Sequence, residues 1–294
     1  GALAANQDIY SVGMNEDVEK IGDKWDYAIG HPIKPITVNE APCHEVIIEG
    51  KELLGPGKGL DALPIPVSTP GFDNAPTLTS TNVVTCDPET GLQNMGTYRA
   101  ALKASDRLVV RMATRVGGAG GYAHYKKYRE RGHQKMPVAI IVGCPPVVAF
   151  MGPQKLPLDV DELDVAGGLA GFPINVIRAK TVDLLVPAES ELVIEGFIDT
   201  EMLEPEGPFG ESHGHVALEE FNMPMQVTAI THRKDAILTS YISQVAPSES
   251  SVIKRVAYEP LFLNHLRGAL GIKGVQKVSL HEPLTGLLRV TIIT

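Results

Sequence analysis

Cysteine is nearly absent from this 294-residue chain. Cys43, Cys86 and Cys144 are odd in number, far apart and in no CxxC pair, which excludes a disulfide framework and a thiolate zinc site and leaves them as small core residues. No apolar run approaches the roughly 18–20 residues that a membrane span needs. No basic segment followed by an apolar one opens the chain as an export signal would, so a soluble, cytoplasmic protein is expected. Positive charge is also in deficit. With 26 Lys and Arg against 35 Asp and Glu, a formal net charge of −9 and no basic block, the chain repels a nucleic-acid backbone and points to a small-molecule substrate instead. Internal repeats and low-complexity tracts are missing too. The length implies one large unit or two packed ones. The opening at Gly1 and the stop in the β-branched run "VTIIT" suggest a piece of something longer.

What the chain does have is punctuation. Its 29 glycines and 22 prolines separate short β-rich runs at 44–50, 81–86, 106–112, 137–143, 182–187, 191–198 and 225–232. Bounded by Pro, Gly and Asp-Pro signals, these predict an antiparallel barrel or sandwich rather than a βαβ series. Fewer segments read as helix: 17–29, 121–131, 161–171 and 248–270, the last behind the N-cap Ser248. Residues 245–251, "VAPSESS", read as a linker, followed by the start of a second α/β unit.

Several stretches carry residues suited to chemistry. In "PEGPFGESHGHV" (205–216) the turn Gly207-Pro208-Phe209-Gly210 lies between Glu206 and Glu211. Either this is a solvated turn, or the two carboxylates share a cavity. In a cavity they cannot both ionise cheaply, so one pKa is expected to rise and yield a proton donor near neutral pH. The same letters allow a metal reading. Glu211, His213 and His215 alternate as on one strand face, and His-x-His followed by Glu219 partly resembles the first cupin motif, without a second motif to complete it. In "QNMGTYRA" (93–100), Arg99 is either a surface residue or a buried partner of Glu206 able to hold a substrate carboxylate. The glycines of "RVGGAGGYAHYKKY" (115–128) precede a helix whose free N–H groups could receive a phosphate. They form no dinucleotide fingerprint, because position 123 is Ala, and no Walker Lys-Ser/Thr follows. Asp159, Asp161, Glu162 and Asp164 open another helix, either as caps or as hard oxygen ligands for a divalent cation.

In this order the segments "HPIKPITV", "LDALPIPVSTPGFDNAPTLT", "TCDPETGLQNMGTYRA", "MPVAIIVGCPP", "DELDVAGGLAG", "TVDLLVPAESELVIEGF" and "EPEGPFGESHGHV" resemble the UbiD family of reversible, non-oxidative decarboxylases. The resemblance implies an α+β fold: a β-rich split-barrel flavin domain over 41–235, the end of an N-terminal α/β domain over 1–40, a linker over 236–250, and the start of a C-terminal α/β oligomerisation domain over 251–294. Further parts of both terminal domains are then expected outside these residues. It implies prenylated FMN as cofactor, with Mn2+ or another divalent cation and K+ at its phosphate. It also implies an aromatic, heteroaromatic or α,β-unsaturated acid, or a thioester of one, as substrate. A flavin prenyltransferase is the implied cofactor supplier, and a homo-oligomer, dimer or hexamer, the implied assembly.

The family's catalytic trio maps onto Arg99, Glu206 and Glu211, with Glu211 protonating the carbon that loses CO2 and Glu206 anchoring Arg99. The cofactor-binding set maps onto Asn94, Gly96, Thr97, Arg99, Arg115, Gln154, Lys155 and Glu162. Asn94 and Glu162 match two metal ligands. At the third, where the family carries a histidine, this sequence departs: Arg115 and Gly120 fill the aligned positions, and His124 is the nearby imidazole. The cupin-like metalloenzyme and a non-catalytic flavin-binding subunit are the alternatives.

Overall fold

A computed structural model describes residues 6–112, 119–154, 156, 159–211, 215–218, 220–242 and 248–280, and the backbone of 291–293. Helices α1 (Gln7–Met14) and α2 (Ile21–Gly30) lead into β1 (Ile36–Thr37), β2 (Val46–Glu49), β3 (Thr77–Leu78), β4 (Thr81–Cys86), β5 (Gln93–Gly96), β6 (Ala100–Ala104) and β7 (Arg107–Val110). Then come α3 (Gly120–Glu130), β8 (Lys135–Val142), α4 (Pro146–Ala149), α5 (Glu162–Ala170), β9 (Asn175–Arg178), β10 (Leu185–Pro187) and β11 (Leu192–Asp199). The chain continues through β12 (Glu204–Glu206), β13 (Phe209–Gly210), β14 (Val216–Ala217), β15 (Glu220–His232), α6 (Glu249–Asn264), β16 (Val278–Leu280) and β17 (Thr291–Ile293).

Ten strands form one antiparallel sheet in the order β3-β6-β7-β15-β11-β8-β4-β5, with β2 and β12 also paired to β15. Side chains alternate across a strand, so a strand covered on both faces reads as a continuous apolar run. β8 is such a strand. Met136, Val138, Ile140 and Val142 join Leu108, Val110, Ile194 and Ile230 on one side, while Ala139 and Ile141 join Val84, Val193 and the helices on the other. β15, 13 residues long, is the common member. Its C-terminal half pairs with β2 and β11, the middle with β7, and its first residues with β12.

The second core is helical. Tyr10 of α1 stacks on Phe150 with ring centroids 4.0 Å apart and accepts a 3.1 Å hydrogen bond from Trp25 Nε1 of α2. Val252, Ile253 and Ala257 of α6 close the same core. α2 and α6 approach closely at Gly22, where a Cβ would stand 3.2 Å from the Pro260 ring. Among the described residues no helix is long and apolar enough to cross a membrane.

The expected helices over 17–29, 121–131 and 161–171 correspond to α2 with a preceding 3-10 turn, α3 and α5. The expected helix over 248–270 is shorter. α6 stops at Asn264, widens into a π-type turn over His265–Ala269, and Gly271 at φ +68° turns the chain away. α1 was not anticipated, because eight residues with two buried positions, Tyr10 and Met14, give little periodicity; Asn6 caps it through a bond from Ile9 N–H. Cys43 is buried as expected, but Cys86 and Cys144 are only half-buried. Residues 243–247 of the expected linker lie outside the described residues.

Candidate active site

Two strand pairs bring the charged residues together. In the β6–β7 hairpin Ala100 lies opposite Val110, and the Arg111 N–H donates to Arg99 O at 3.0 Å, so the two arginines face each other at the hairpin's open end. In the β12–β15 pair Glu206 lies opposite Glu220, and Glu204 opposite Asn222. β15 then pairs with β7 from Met223 onward, which carries the carboxylates to the arginines.

Arg99 uses all its nitrogens. Nε donates to Glu206 Oε1 at 2.9 Å, Nη2 to Glu206 Oε2 at 2.8 Å and Nη1 to Glu211 Oε1 at 2.8 Å. Its guanidinium carbon lies 4.5 Å from the centroid of the Phe209 ring, a cation–π contact. Asn222 Nδ2 donates to Glu206 Oε2 at 3.0 Å. Arg111 bonds Glu211 Oε1 through Nη1 and Glu220 Oε2 through Nη2, the latter at 2.6 Å. The Arg99 and Glu206 side chains are 10% and 3% exposed, Glu211 23% and Glu220 48%. The network is therefore dry at Glu206 and opens toward solvent at Glu220.

This electrostatic arrangement corrects one expectation. Glu206 and Glu211 were expected to repel each other, with one carboxyl raised into a proton donor. Burial does push the Glu211 carboxyl up, but Arg99 and Arg111 outweigh it and hold the group below the ordinary carboxylate range. For Arg99, burial disfavours the charge, and Glu206 and Glu211 more than restore it, so its pKa is raised and it stays a cation. The turn chemistry differs as well. Neither Gly207 nor Gly210 has a positive φ. Gly207 is required for space, since a Cβ there would collide with the Asn74 amide.

The strand alternation behind the cupin reading is not found. β13 pairs with β14, and the Glu211 N–H donates to His215 O at 2.7 Å, so Glu211 and His215 face each other across a hairpin, with His215 exposed. His213 and Glu219 lie outside the described residues. Among the described residues, no group of three or more His, Cys, Asp or Glu side chains is arranged to hold a metal.

The residues expected at a cofactor gather around β5. Glu162, at the start of α5, is buried and accepts the Met95 N–H at 2.8 Å through Oε2; burial pushes its carboxyl up to about 7. The Asn94 amide oxygen lies against Gly120 at the N-terminus of α3, where a Cβ would collide with it. At Gly96 a Cβ would collide with the Tyr98 ring, whose hydroxyl accepts the Gly121 N–H at 3.3 Å. Thr97 N–H donates to Gly152 O at 3.0 Å, and its hydroxyl to Asn82 Oδ1 at 3.2 Å. Gln154 Nε2 bonds Phe150 O at 3.0 Å, while its Oε1 is buried without a partner among the described residues.

His124 sits one turn into α3, buried, its Nδ1 2.8 Å from the hydroxyl of Thr85, the residue opposite Asn94 in the β4–β5 pair. Burial holds its imidazole down at about 4, so the ring is neutral, the form that ligates a metal. Arg115 and Lys155 lie outside the described residues. An amide oxygen, a carboxyl and a neutral imidazole are donor types that a divalent cation accepts, while in the described contacts Glu162 is bonded to the Met95 N–H and His124 to the Thr85 hydroxyl.

Sequence reasoning missed Arg111, Glu220, Asn222 and Phe209 as members of the charged network. The letters gave a partial signal for one of them: Arg111 ends the run "DRLVVR" with a charge after three apolar residues. Its partners become visible only through the β7–β15 register.

Comparison with solved structures gives the same architecture. The chain superposes on an evolved dimeric form of the UbiD-class enzyme HmfF from Pelotomaculum thermopropionicum, in complex with prFMN, with a TM-score of 0.84 at 28% identity, covering 95% of this chain and 62% of that one. Vanillic acid decarboxylase from Sedimentibacter hydroxybenzoicus in closed form gives 0.84 at 24% identity, covering 99% and 61%. Klebsiella pneumoniae 3,4-dihydroxybenzoic acid decarboxylase gives 0.81 at 24%, covering 94% and 58%. The latter two speak for the fold alone. The chain spans less than two thirds of the length of each of these proteins. The family model of the 3-octaprenyl-4-hydroxybenzoate carboxy-lyase Rift-related domain matches residues 34–245, and with that match and the α+β fold in agreement, the chain belongs to the UbiD family.

Proposed function

We propose that this protein catalyses the reversible, non-oxidative decarboxylation of an aromatic, heteroaromatic or α,β-unsaturated carboxylic acid, or a thioester derivative of one, using prenylated FMN. The observation that carries the reading is the grip on Arg99. Glu206 holds the Nε–Nη2 edge of its guanidinium in a dry site, and Nη1 points to Glu211. A guanidinium fixed in this way presents a rigid, permanently charged fork suited to orienting a substrate carboxylate. Asn222, bonded to Glu206 Oε2, keeps the anchoring carboxylate from rotating. Glu211, more open to solvent than Glu206, is the group that exchanges its proton with water and delivers it to the carbon that loses CO2.

When bound, prenylated FMN would supply the electron sink for the pair released with the carboxylate. Asn94, Glu162 and His124 would hold a divalent metal such as Mn2+, with K+, at the flavin phosphate. Gly96, Thr97 and Gln154 would line the cofactor, joined by Arg115 and Lys155 from outside the described residues. A flavin prenyltransferase would supply the cofactor, and the enzyme would work as a homo-oligomer.

The test is to co-express the protein with a flavin prenyltransferase, record the absorbance and mass of the bound cofactor, and screen acids for CO2 release. Glu211→Gln should keep the flavin and lose turnover at least about a hundredfold, the usual contribution of a positioned general acid. Undiminished turnover in that variant would remove Glu211 from the role.

A further inference from the structure

Arg111 has no task in the reaction just described, yet both its terminal nitrogens are committed, to Glu211 and to Glu220, and its backbone N–H is tied to Arg99 O. Glu211 Oε1 thus accepts from two guanidinium groups at once. That point between two cations is where a substrate carboxylate would bind best, and the ionised Glu211 already fills it. A carboxylate in that position is also in the wrong state to donate a proton. One exchange resolves both conflicts. We infer that Arg111, braced by Glu220, parks Glu211 as an anion on the arginine pair, and that an arriving substrate carboxylate displaces it and makes it take up the proton it later delivers.

The steps balance. As the substrate carboxylate replaces Glu211 on the guanidinium groups, Glu211 accepts one proton from the buffered solvent, so the negative charge the substrate brings and the proton cancel and the net charge of the site is unchanged. The bond between carbon and carboxylate then breaks, CO2 leaves, and the Glu211 proton moves to the carbon. Glu211, again an anion, returns to the arginines. The charged groups that face it are Arg99 at the start of β6, Arg111 at the end of β7, Glu206 of β12 beyond Arg99, and Glu220 of β15 beyond Arg111; His215 stands across its hairpin. Arg111 is therefore a positioning residue that acts through Glu211.

The inference rests on the decarboxylase reading but is tested apart from turnover. The protein is loaded with ordinary FMN and titrated calorimetrically with benzoate, a simple aromatic carboxylate, at pH 7 in two buffers of different ionisation enthalpy. Close to one proton should be taken up per benzoate bound, and none by Glu211→Gln. Benzoate binding without proton uptake, or no binding at all at a site with two guanidinium groups, overturns the exchange. A protein that nevertheless releases CO2 from its substrate keeps the functional reading and loses this one. In the cofactor-free protein, the Glu211 carboxyl followed by carbon NMR should titrate about one pH unit higher in Arg111→Gln, with recovery in Arg111→Lys. Glu220→Gln, which keeps an acceptor but removes a like charge, should move it the other way. A titration unmoved in both Arg111→Gln and Glu220→Gln, which a merely structural arginine would give, overturns the parking role.

Discussion

Replacing Glu206 by Gln exchanges one carboxylate oxygen for an NH2 group at a buried ion pair, and its cost follows from the contacts. Glu206 accepts three bonds: Arg99 Nε on Oε1, and Arg99 Nη2 and Asn222 Nδ2 on Oε2. A glutamine amide can keep its oxygen at the Oε2 position and satisfy two of these donors, which sets its NH2 against Arg99 Nε–H, donor against donor. Removing one partner of a buried pair costs about 3–5 kcal/mol when the remaining charge is left uncompensated. Here Arg99 keeps Glu211, so about 2–4 kcal/mol is expected. For a chain of this size that lowers the melting temperature by about 3–7 °C.

The assay is thermal unfolding followed by circular dichroism, with and without added salt. The deficit should persist in salt, because a dry pair is little screened. Glu220→Gln is the internal control: with Glu220 48% exposed, its pair with Arg111 should contribute less than about 1 kcal/mol. The double replacement Arg99→Met, Glu206→Leu should recover much of the stability lost by Glu206→Gln while abolishing turnover, since a buried pair replaced by apolar groups is often neutral. A Glu206→Gln variant no less stable than Glu220→Gln, or a double variant worse than the single one, would refute the view of Glu206 as a desolvated anchor.

Three further outcomes are expected. Gly120→Ala drives a Cβ into the Asn94 amide oxygen; a titration of Mn2+ should show its affinity reduced about tenfold or more, although alanine favours the helix. Burial, with Lys180 adding to it, holds the His44 imidazole down at about 4 from its ordinary 6.5, and both ring nitrogens are buried without partners among the described residues. Its contribution to stability is therefore complete above about pH 6.5 and lost as pH falls through about 4. Discounted for partial exposure, this is about 1–2 kcal/mol, and urea unfolding of His44→Leu should lack that part of the acid slope. The fully buried Glu195 accepts Lys180 N–H at 2.9 Å, Thr181 N–H at 2.6 Å and the Thr181 hydroxyl at 2.8 Å. Glu195→Ala strands two backbone donors and should cost about 2–5 kcal/mol in the same assay.

Much of the frame was legible because local patterns carry it. The run "PVAIIVG" is apolar on both faces, as a strand between two cores must be, and Ser248 stands where α6 starts. What the letters could not carry is register. That Arg111 meets Glu211 depends on Val110 lying opposite Met223 and on Glu206 lying opposite Glu220, the first pair 113 residues apart in sequence and the second 14. The same blindness explains the error over Glu211. The sequence shows two glutamates five positions apart, and only the fold sets Arg99 between them and Arg111 on the other side of Glu211. Gly207 was read as a turn former because Gly-Pro invites that reading, whereas its purpose is room for a side chain, Asn74, more than a hundred residues away.

β15 has a consequence for how this site can change. Glu220 and Asn222 stand at one end of a strand whose other end is locked between β2 and β11, and a slip of a single residue would turn both side chains to the opposite face. The side chains that position the arginines, Glu220 by accepting from Arg111 and Asn222 by donating to Glu206, cannot shift register without unzipping the central strand of the sheet, so this side of the charged network has the rigidity of the core itself. Glu211 instead follows β13, which among the described residues pairs only with β14. A shift of that hairpin leaves the register of the central strand unchanged.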